Sequence, residues 1–499
     1  MGIIKNQGLK QSLVTYVGVL MGVINNIYIF PKMLEVNELG LYRFIIDTAL
    51  LLFPFIGLGV HNLSVRMFPQ FKDEDSGHQG FLTFLLMGAA VGYLTFSLLA
   101  FLCSDIIREL LETKGKLIQD YWVYIIPLTA LTLLAAILTQ WTFNFKRIVL
   151  PAVFNDLYLK FGMPLIVVLY SFDVVTLQQS LLLLIALFVL TVLSLIGYIR
   201  YLGQWIRRPR WSFYTKEVID EIKTYSFYGV LGSIGSVLSS RIDIFMVALL
   251  AADDLTSVGL YTTAFFIINV ISVPARAINN IASPIIAESN KTNDVPNIQT
   301  IYQKSSIILL TLGSFFLIGI WASVDDLFAL MPKGEQFAAG KYVILILGIG
   351  KLFDLATGVN SQIIAYSKFF RFNFYAVLIL AVVNITANYL LIPKYQIEGA
   401  AMATALSLIL FNASKFIFIK QKMGMQPFTL QTGKLIAIAL VTLAVSLLVP
   451  STGIALLDIV VRSAAISMVF LPAVYYFQIN KDLNELADQM LGKMGIKLP

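Results

Sequence analysis

Long apolar runs separated by short polar interruptions dominate the chain. Residues 79–103, 121–145, 174–199 and 305–324 carry no charge at all, and each reaches the roughly 20 residues a helix needs to cross the hydrocarbon core. None alternates apolar and polar positions as a porin strand does. Lipid offers the backbone no hydrogen-bond partner, so these runs are expected to be helices. With charges, Pro and Gly as punctuation, the pattern predicts 14 spans. Six lie in the first half, at 10–32, 40–66, 79–103, 118–144, 150–171 and 176–200. Six more follow at 223–250, 257–287, 302–323, 338–366, 371–392 and 397–419, and two at 430–449 and 454–477. The expected fold class is an all-α integral membrane protein.

Composition agrees: 58% hydrophobic and 13% charged residues with a mean hydropathy of +0.81 exclude an ordinary soluble chain. The net charge of +7 comes from basic residues scattered between spans rather than from a stripe, so no nucleic acid is expected as a partner. If the N-terminus is cytoplasmic, 22 of the 36 lysines and arginines fall in inner loops and tails and 9 in outer ones. The positive-inside rule therefore favours cytoplasmic termini. Lys5 and Lys10 precede the first apolar run, which is read as a retained first span because no small-residue cleavage site ends it. Cys103, the one cysteine, excludes an internal disulfide and is expected to be a buried, inert thiol.

A weak internal repeat divides the chain. Gly40-Leu41-Tyr42 and Gly259-Leu260-Tyr261 lie 219 positions apart, and Gln140 and Lys146 recur at Gln362 and Lys368 with an offset of 222. Six spans per half make the copies parallel in topology, a common transporter plan. The expected organisation is a first six-helix repeat at 1–208, a second at 209–425, two extra helices at 426–478 and a cytoplasmic tail at 479–499. The link from Tyr201 to Ile222 sets Arg207, Arg208 and Arg210 beside Trp205 and Trp211 and reads as an interfacial segment held by anionic lipid. In the tail, Leu483, Leu486, Met490 and Met494 share one face, as in a surface-lying amphipathic helix.

Charges inside spans are costly and are the first functional candidates. Arg276 follows Pro274 by two residues and has no acid three or four positions away. A planar cation with five donors suits phosphate or pyrophosphate, although an arginine snorkelling to the inner surface is a competing account. Arg241 and Asp243, at i and i+2, point to different faces, so each needs another partner. Lys351 and Asp354, at i and i+3, can pair with each other or serve a cavity, where Asp354 could accept a coupling cation. Arg43 with Asp47, Asp156 with Lys160, and Asp458 with Arg462 have the i, i+4 spacing of local pairs, and Asp47 remains a candidate coupling carboxylate. Lys415 is expected to snorkel towards Lys420 and Lys422. No metal-ligand cluster and no phosphate-binding loop occurs, so neither a metal nor a cofactor is expected. The short outer loops leave no room for an external catalytic domain, which argues against a polymerase or glycosyltransferase.

Two stretches carry a resemblance. Gly259-Leu260-Tyr261 is followed by Pro274, Ala277 and Pro284. Ile392-Pro393-Lys394-Tyr395-Gln396-Ile397-Glu398-Gly399-Ala400-Ala401-Met402-Ala403-Thr404 looks like an "IP-x-yG-x-x-GAA-x-AT" turn, with Gln396 where the first glycine is usual. With these the chain resembles the multidrug/oligosaccharidyl-lipid/polysaccharide exporters, and among them the polysaccharide biosynthesis (Wzx-like) flippases. The resemblance implies a V-shaped bundle in which the sugar-pyrophosphate head of a polyprenyl-linked oligosaccharide crosses between the halves by alternating access. It implies cavity cations, carried here by Arg276, Arg241 and Lys351, and reset by a proton or sodium gradient. The expected setting is the bacterial inner membrane, as a monomer serving a glycan polymerase and export machinery. A cation-coupled drug antiporter and a peptidoglycan-precursor flippase remain open at this point.

Overall fold

The structure, a computed structural model, describes residues 14, 17–57, 59–112, 115–145, 147–204 and 207–480, together with 484, 485 and 488. The described residues are helical, with no strand among them. Ten helices are long and apolar enough to cross a membrane, or eleven if one bent pair counts as a span. Among the described residues, each of the 14 predicted spans falls on helix, some of them interrupted. The amphipathic tail lies mostly outside the described residues.

The chain forms two compact units, residues 1–259 and 260–499. The first contains α1 (Val17–Met33), α2 (Val36–Ile56), α3 (Val60–Phe71), α4 (Phe81–Leu102), α5 (Lys116–Phe143), α6 (Val149–Ser171), α7 (Leu177–Tyr201) and α8 (Lys216–Leu250). A capping box of Glu35 and Glu38 starts α2 four residues before the predicted span, and a second, of Thr176 and Gln179, starts α7. Predicted span 2 is not one helix. It breaks after Gly57 and resumes beyond Gly59, whose φ of 72° is the left-handed conformation glycine tolerates. The core of this unit packs Ile56, Met67, Phe71, Phe81, Leu138 and Trp141.

The linker between α7 and α8 rests on protein as well as presenting aromatic residues outward. Arg207 donates to the Asp75 carbonyl at 2.7 Å, the Arg210 amide donates to the Gln79 carbonyl at 3.1 Å, and the Tyr214 ring stacks on Phe84 at 4.8 Å. Trp211 stays 60% exposed, as an interfacial anchor requires. Cys103 is exposed rather than buried, because it ends α4 instead of lying within it.

α9 (Asp254–Asn269) crosses the boundary between the units. The second unit continues with α10 (Val273–Lys291), α11 (Val295–Ala322), α12 (Val324–Leu330), α13 (Lys341–Ala356), α14 (Asn360–Tyr366), α15 (Phe370–Met423), α16 (Leu430–Leu448) and α17 (Ala455–Tyr476). Three of its spans are interrupted. A 3-10 turn at Val270–Ser272 separates α9 from α10 just before Pro274. α13 and α14 meet at a bend of 47°.

The third interruption is in α15, at Gln396, with φ 50° and ψ −129°. Non-glycine residues rarely adopt that backbone, which explains physically why the resembled turn carries glycine there. Gly399, three residues on, is held by space instead: a Cβ would approach the Leu391 carbonyl oxygen to 2.3 Å. Gln396→Gly is therefore expected to stabilise the protein by about 1 kcal/mol. A thermal midpoint that falls in this variant would contradict the account.

Candidate functional site

The first unit gathers charge where α1, α2 and α8 meet. Asp47 of α2 is ion-paired with Arg241 of α8. Arg43, one turn before Asp47, donates to the Asn26 amide oxygen and lies 5.8 Å from the Phe30 ring centre. The local Arg43–Asp47 pair expected from spacing is thus superseded. Asp47 takes its cation from a helix 194 positions away, and Arg43 turns to α1. The α1 stretch Asn25–Ile29 is a π-helix, which turns two successive asparagines into the protein: Asn26 meets Arg43, while Asn25 donates to the Lys160 carbonyl at 2.7 Å. Asp243 is buried and accepts from the Ile244 amide at 3.0 Å, away from Arg241's partner as the i, i+2 spacing requires.

A cavity of about 540 Å³ also lies within this unit, lined on its polar side by Thr132, Thr139, Gln140, Asn155, Asp156 and Thr191. A second π-helix, Val153–Leu157, carries Asn155 and Asp156. Sequence reading assigned Asp156 only to a local pair with Lys160. The signal it passed over is Asn155, which bonds Thr139 on the neighbouring helix at 2.8 Å.

In the second unit, Lys351 of α13 donates to Asn269 at 2.8 Å and sits 5.0 Å from the Phe265 ring centre. Asp354, one turn on, accepts from Asn412 of α15 at 2.8 Å. Each of the two therefore has an amide partner on another helix, beyond what their i, i+3 spacing offers. Arg276, in the first turn of α10, is exposed, and among the described residues it meets no ion-pair partner. Asn280, one turn along, opens onto the same surface.

Two expectations outside the proposed site fail. Lys415 does not snorkel: it is 2% exposed and donates to the Ser361 hydroxyl at 2.7 Å. Arg462 does not pair with Asp458. It reaches Asp326 of α12 at 2.5 Å and the Ala322 carbonyl at 2.9 Å, while Asp458 accepts from Ser451 and Thr452 in the turn before α17. An acid in the first turn of a helix is well used satisfying that turn, which leaves the arginine available to another element. Among the described residues no group of three His, Cys, Asp or Glu side chains could hold a metal ion.

Many apolar helices long enough to cross a membrane, several of them interrupted, define a multi-pass membrane protein, and its fold is that of known transporters. It superposes on lipid II flippase MurJ in an inward closed conformation with a TM-score of 0.75 and 15% identity, over 94% of this chain and 99% of that one. A multidrug resistance MATE family transporter of the MOP superfamily, inward-facing, matches with a TM-score of 0.61 and 12% identity, over 82% of this chain and 94% of that one. In sequence, the chain is 26% identical over 185 residues to the "Probable low-salt glycan biosynthesis flippase Agl15" of Haloferax volcanii, covering 37% of this chain and 38% of the relative. It is 24% identical over 166 residues to the "Capsular polysaccharide biosynthesis protein CapF" of Staphylococcus aureus, covering 33% and 41%. The matches thus span less than half the length of these curated relatives. No family model matches the sequence.

Proposed function

We propose that the protein is a flippase that moves polyprenyl-pyrophosphate-linked oligosaccharide units across the cytoplasmic membrane for cell-surface polysaccharide assembly. The observation that carries this reading is Arg276. It is a permanently charged guanidinium on a transmembrane helix, exposed, and without an ion-pair partner among the described residues. Such a group is costly in lipid unless an anion meets it, and a pyrophosphate offers the bidentate acceptors it fits. The names of the two sequence relatives support a glycan as cargo.

In this reading Arg276 takes the pyrophosphate first. Lys351 and Arg241 exchange Asn269 and Asp47 for phosphate oxygens as the headgroup passes, by alternating exposure to the two sides of the membrane. Asp47 and Asp243 are the carboxylates proposed to carry a coupling proton, while Asp354 is proposed to stay paired. The setting proposed is a bacterial inner membrane with both termini cytoplasmic, the protein acting as a transporter rather than as an enzyme and handing its cargo to a polymerase.

The test is the double variant Arg276→Ala, Lys351→Ala. Charge-assisted hydrogen bonds are worth about 1.5–3 kcal/mol each, so losing them should lower glycan export roughly tenfold or more with the amount of protein in the membrane unchanged. Undiminished export by a normally expressed double variant would rule out the anion site.

A further inference from the structure

Lys415 is the most deeply buried cation the described structure contains in full, and none of the roles above uses it. Its ammonium lies 3.5 Å from the centre of the Phe411 ring and donates to Ser361 Oγ at 2.7 Å. Ser361 Oγ donates to Asn360 Oδ1 at 3.2 Å, Asn360 Nδ2 to Asn412 Oδ1 at 2.9 Å, and Asn412 Nδ2 to Asp354 Oδ1 at 2.8 Å. Every donor in this chain points the same way, from the ammonium to the carboxylate. Aligned in this sense, the dipoles spread the lysine's charge towards Asp354.

The network sits at the break between α13 and α14. Thr357 and Asn360 flank the interruption; Thr357 is fully buried, and Asn360 and Asn412 are nearly so. Between them Gly358 takes a φ of 58°. A carbonyl released by the break, that of Ala356, accepts from Ser306 at 2.6 Å. Interrupted helices with hydroxyl, amide and carboxylate oxygens converging at membrane depth are the kind of place where transporters hold monovalent cations. Here a side-chain ammonium already stands there, presenting one positive charge to Ser361, to an aromatic face and, through two amides, to Asp354.

We propose that Lys415 is a tethered cation filling a monovalent-cation pocket at the broken α13–α14 span, where it is the permanent counter-charge of Asp354. With the ammonium present the pocket needs no ion from solution. With it removed, the oxygens of Ser361, Asn360 and Asp354 are left to a free sodium or lithium ion. A lysine that only filled space would give no such ion dependence.

The experiment uses purified full-length protein in detergent, with thermal unfolding followed in NaCl, LiCl or choline chloride at equal ionic strength. Wild-type protein should unfold at the same temperature in all three. Lys415→Met, close in volume but neutral, should unfold earlier in choline and at a higher temperature in sodium or lithium. Lys415→Met with Asp354→Asn removes both charges and should regain stability over Lys415→Met alone, with no ion response. A Lys415→Met variant indifferent to the cation, or a double variant no more stable than the single one, would overturn the proposal. If Lys415→Met cannot be purified, recovery of folded protein on adding Asp354→Asn supports it, and failure to recover counts against it. Because the readout is stability rather than transport, the outcome is independent of which substrate the protein carries.

Discussion

Replacing Asp47 by alanine is expected to destabilise the protein by about 3 kcal/mol, while Arg241→Ala should cost distinctly less. Removing one member of a buried ion pair typically costs about 3–5 kcal/mol, because the other is left without compensation. The lower end applies here, since the Arg241 side chain keeps 34% of its exposure while that of Asp47 keeps 12%. The asymmetry comes from Arg43. Without Asp47, two guanidinium groups face each other on α2 and α8 with no carboxylate between them. Without Arg241, Asp47 still has Arg43 one turn away on its own helix. Asp47→Ala combined with Arg241→Ala should therefore be more stable than Asp47→Ala alone, and a double-mutant cycle should return a favourable coupling between the two. Thermal unfolding of the four proteins in one detergent decides it. An Asp47→Ala protein as stable as wild type, or a double variant less stable than Asp47→Ala, would show that the pair does not hold α2 to α8.

The same pair marks the limit of what the sequence could disclose. Helix positions were legible because lipid forces an apolar run of sufficient length to be a helix, whatever else surrounds it. The turn at Gln396 was legible too, as an irregular motif between two spans. What could not be read is the rotation of each helix. In a soluble protein the polar face tells which side is buried, but here the surfaces facing lipid and facing protein are both apolar, so spacing offers only local partners. Arg43 with Asp47, and Asp458 with Arg462, were the pairs spacing proposed. Asp47 with Arg241, and Asp326 with Arg462, are the pairs the structure contains. Lys415 failed for a related reason. A lysine five residues from Lys420 invites snorkelling, and only the break in a different helix, with its hydroxyl and amide groups, gives it a reason to stay inside. Arg276 has no acid at three or four positions, and the structure adds that its side chain is exposed.

Gly40→Ala and Gly259→Ala should be among the most damaging single-methyl additions in the first unit. The two Gly-Leu-Tyr copies, which looked like the mark of a duplication, make one reciprocal contact. A Cβ on Gly40 of α2 would stand 1.8 Å from the Leu255 carbonyl oxygen of α9, and a Cβ on Gly259 of α9 would stand 2.3 Å from the Val36 carbonyl oxygen of α2. Each glycine thus receives a carbonyl belonging to the residue four positions before the other glycine. The obstacle is backbone on both sides, so no rotamer change can relieve it, and the helices must separate along the crossing. Overpacking costs typically run to about 3 kcal/mol and exceed that where relaxation is blocked; Gly40→Ala, with the shorter approach, should cost more than Gly259→Ala. Two glycines provide the contrast. Gly197 in α7 and Gly319 in α11 have nothing within 4 Å of an added Cβ, so alanine there should be neutral or stabilise the helix by up to about 1 kcal/mol. Yield of folded protein and thermal midpoint across the four alanine variants measure the difference. If Gly40→Ala behaves like Gly197→Ala, α2 and α9 are not in backbone contact, and the repeated motif needs another physical reason.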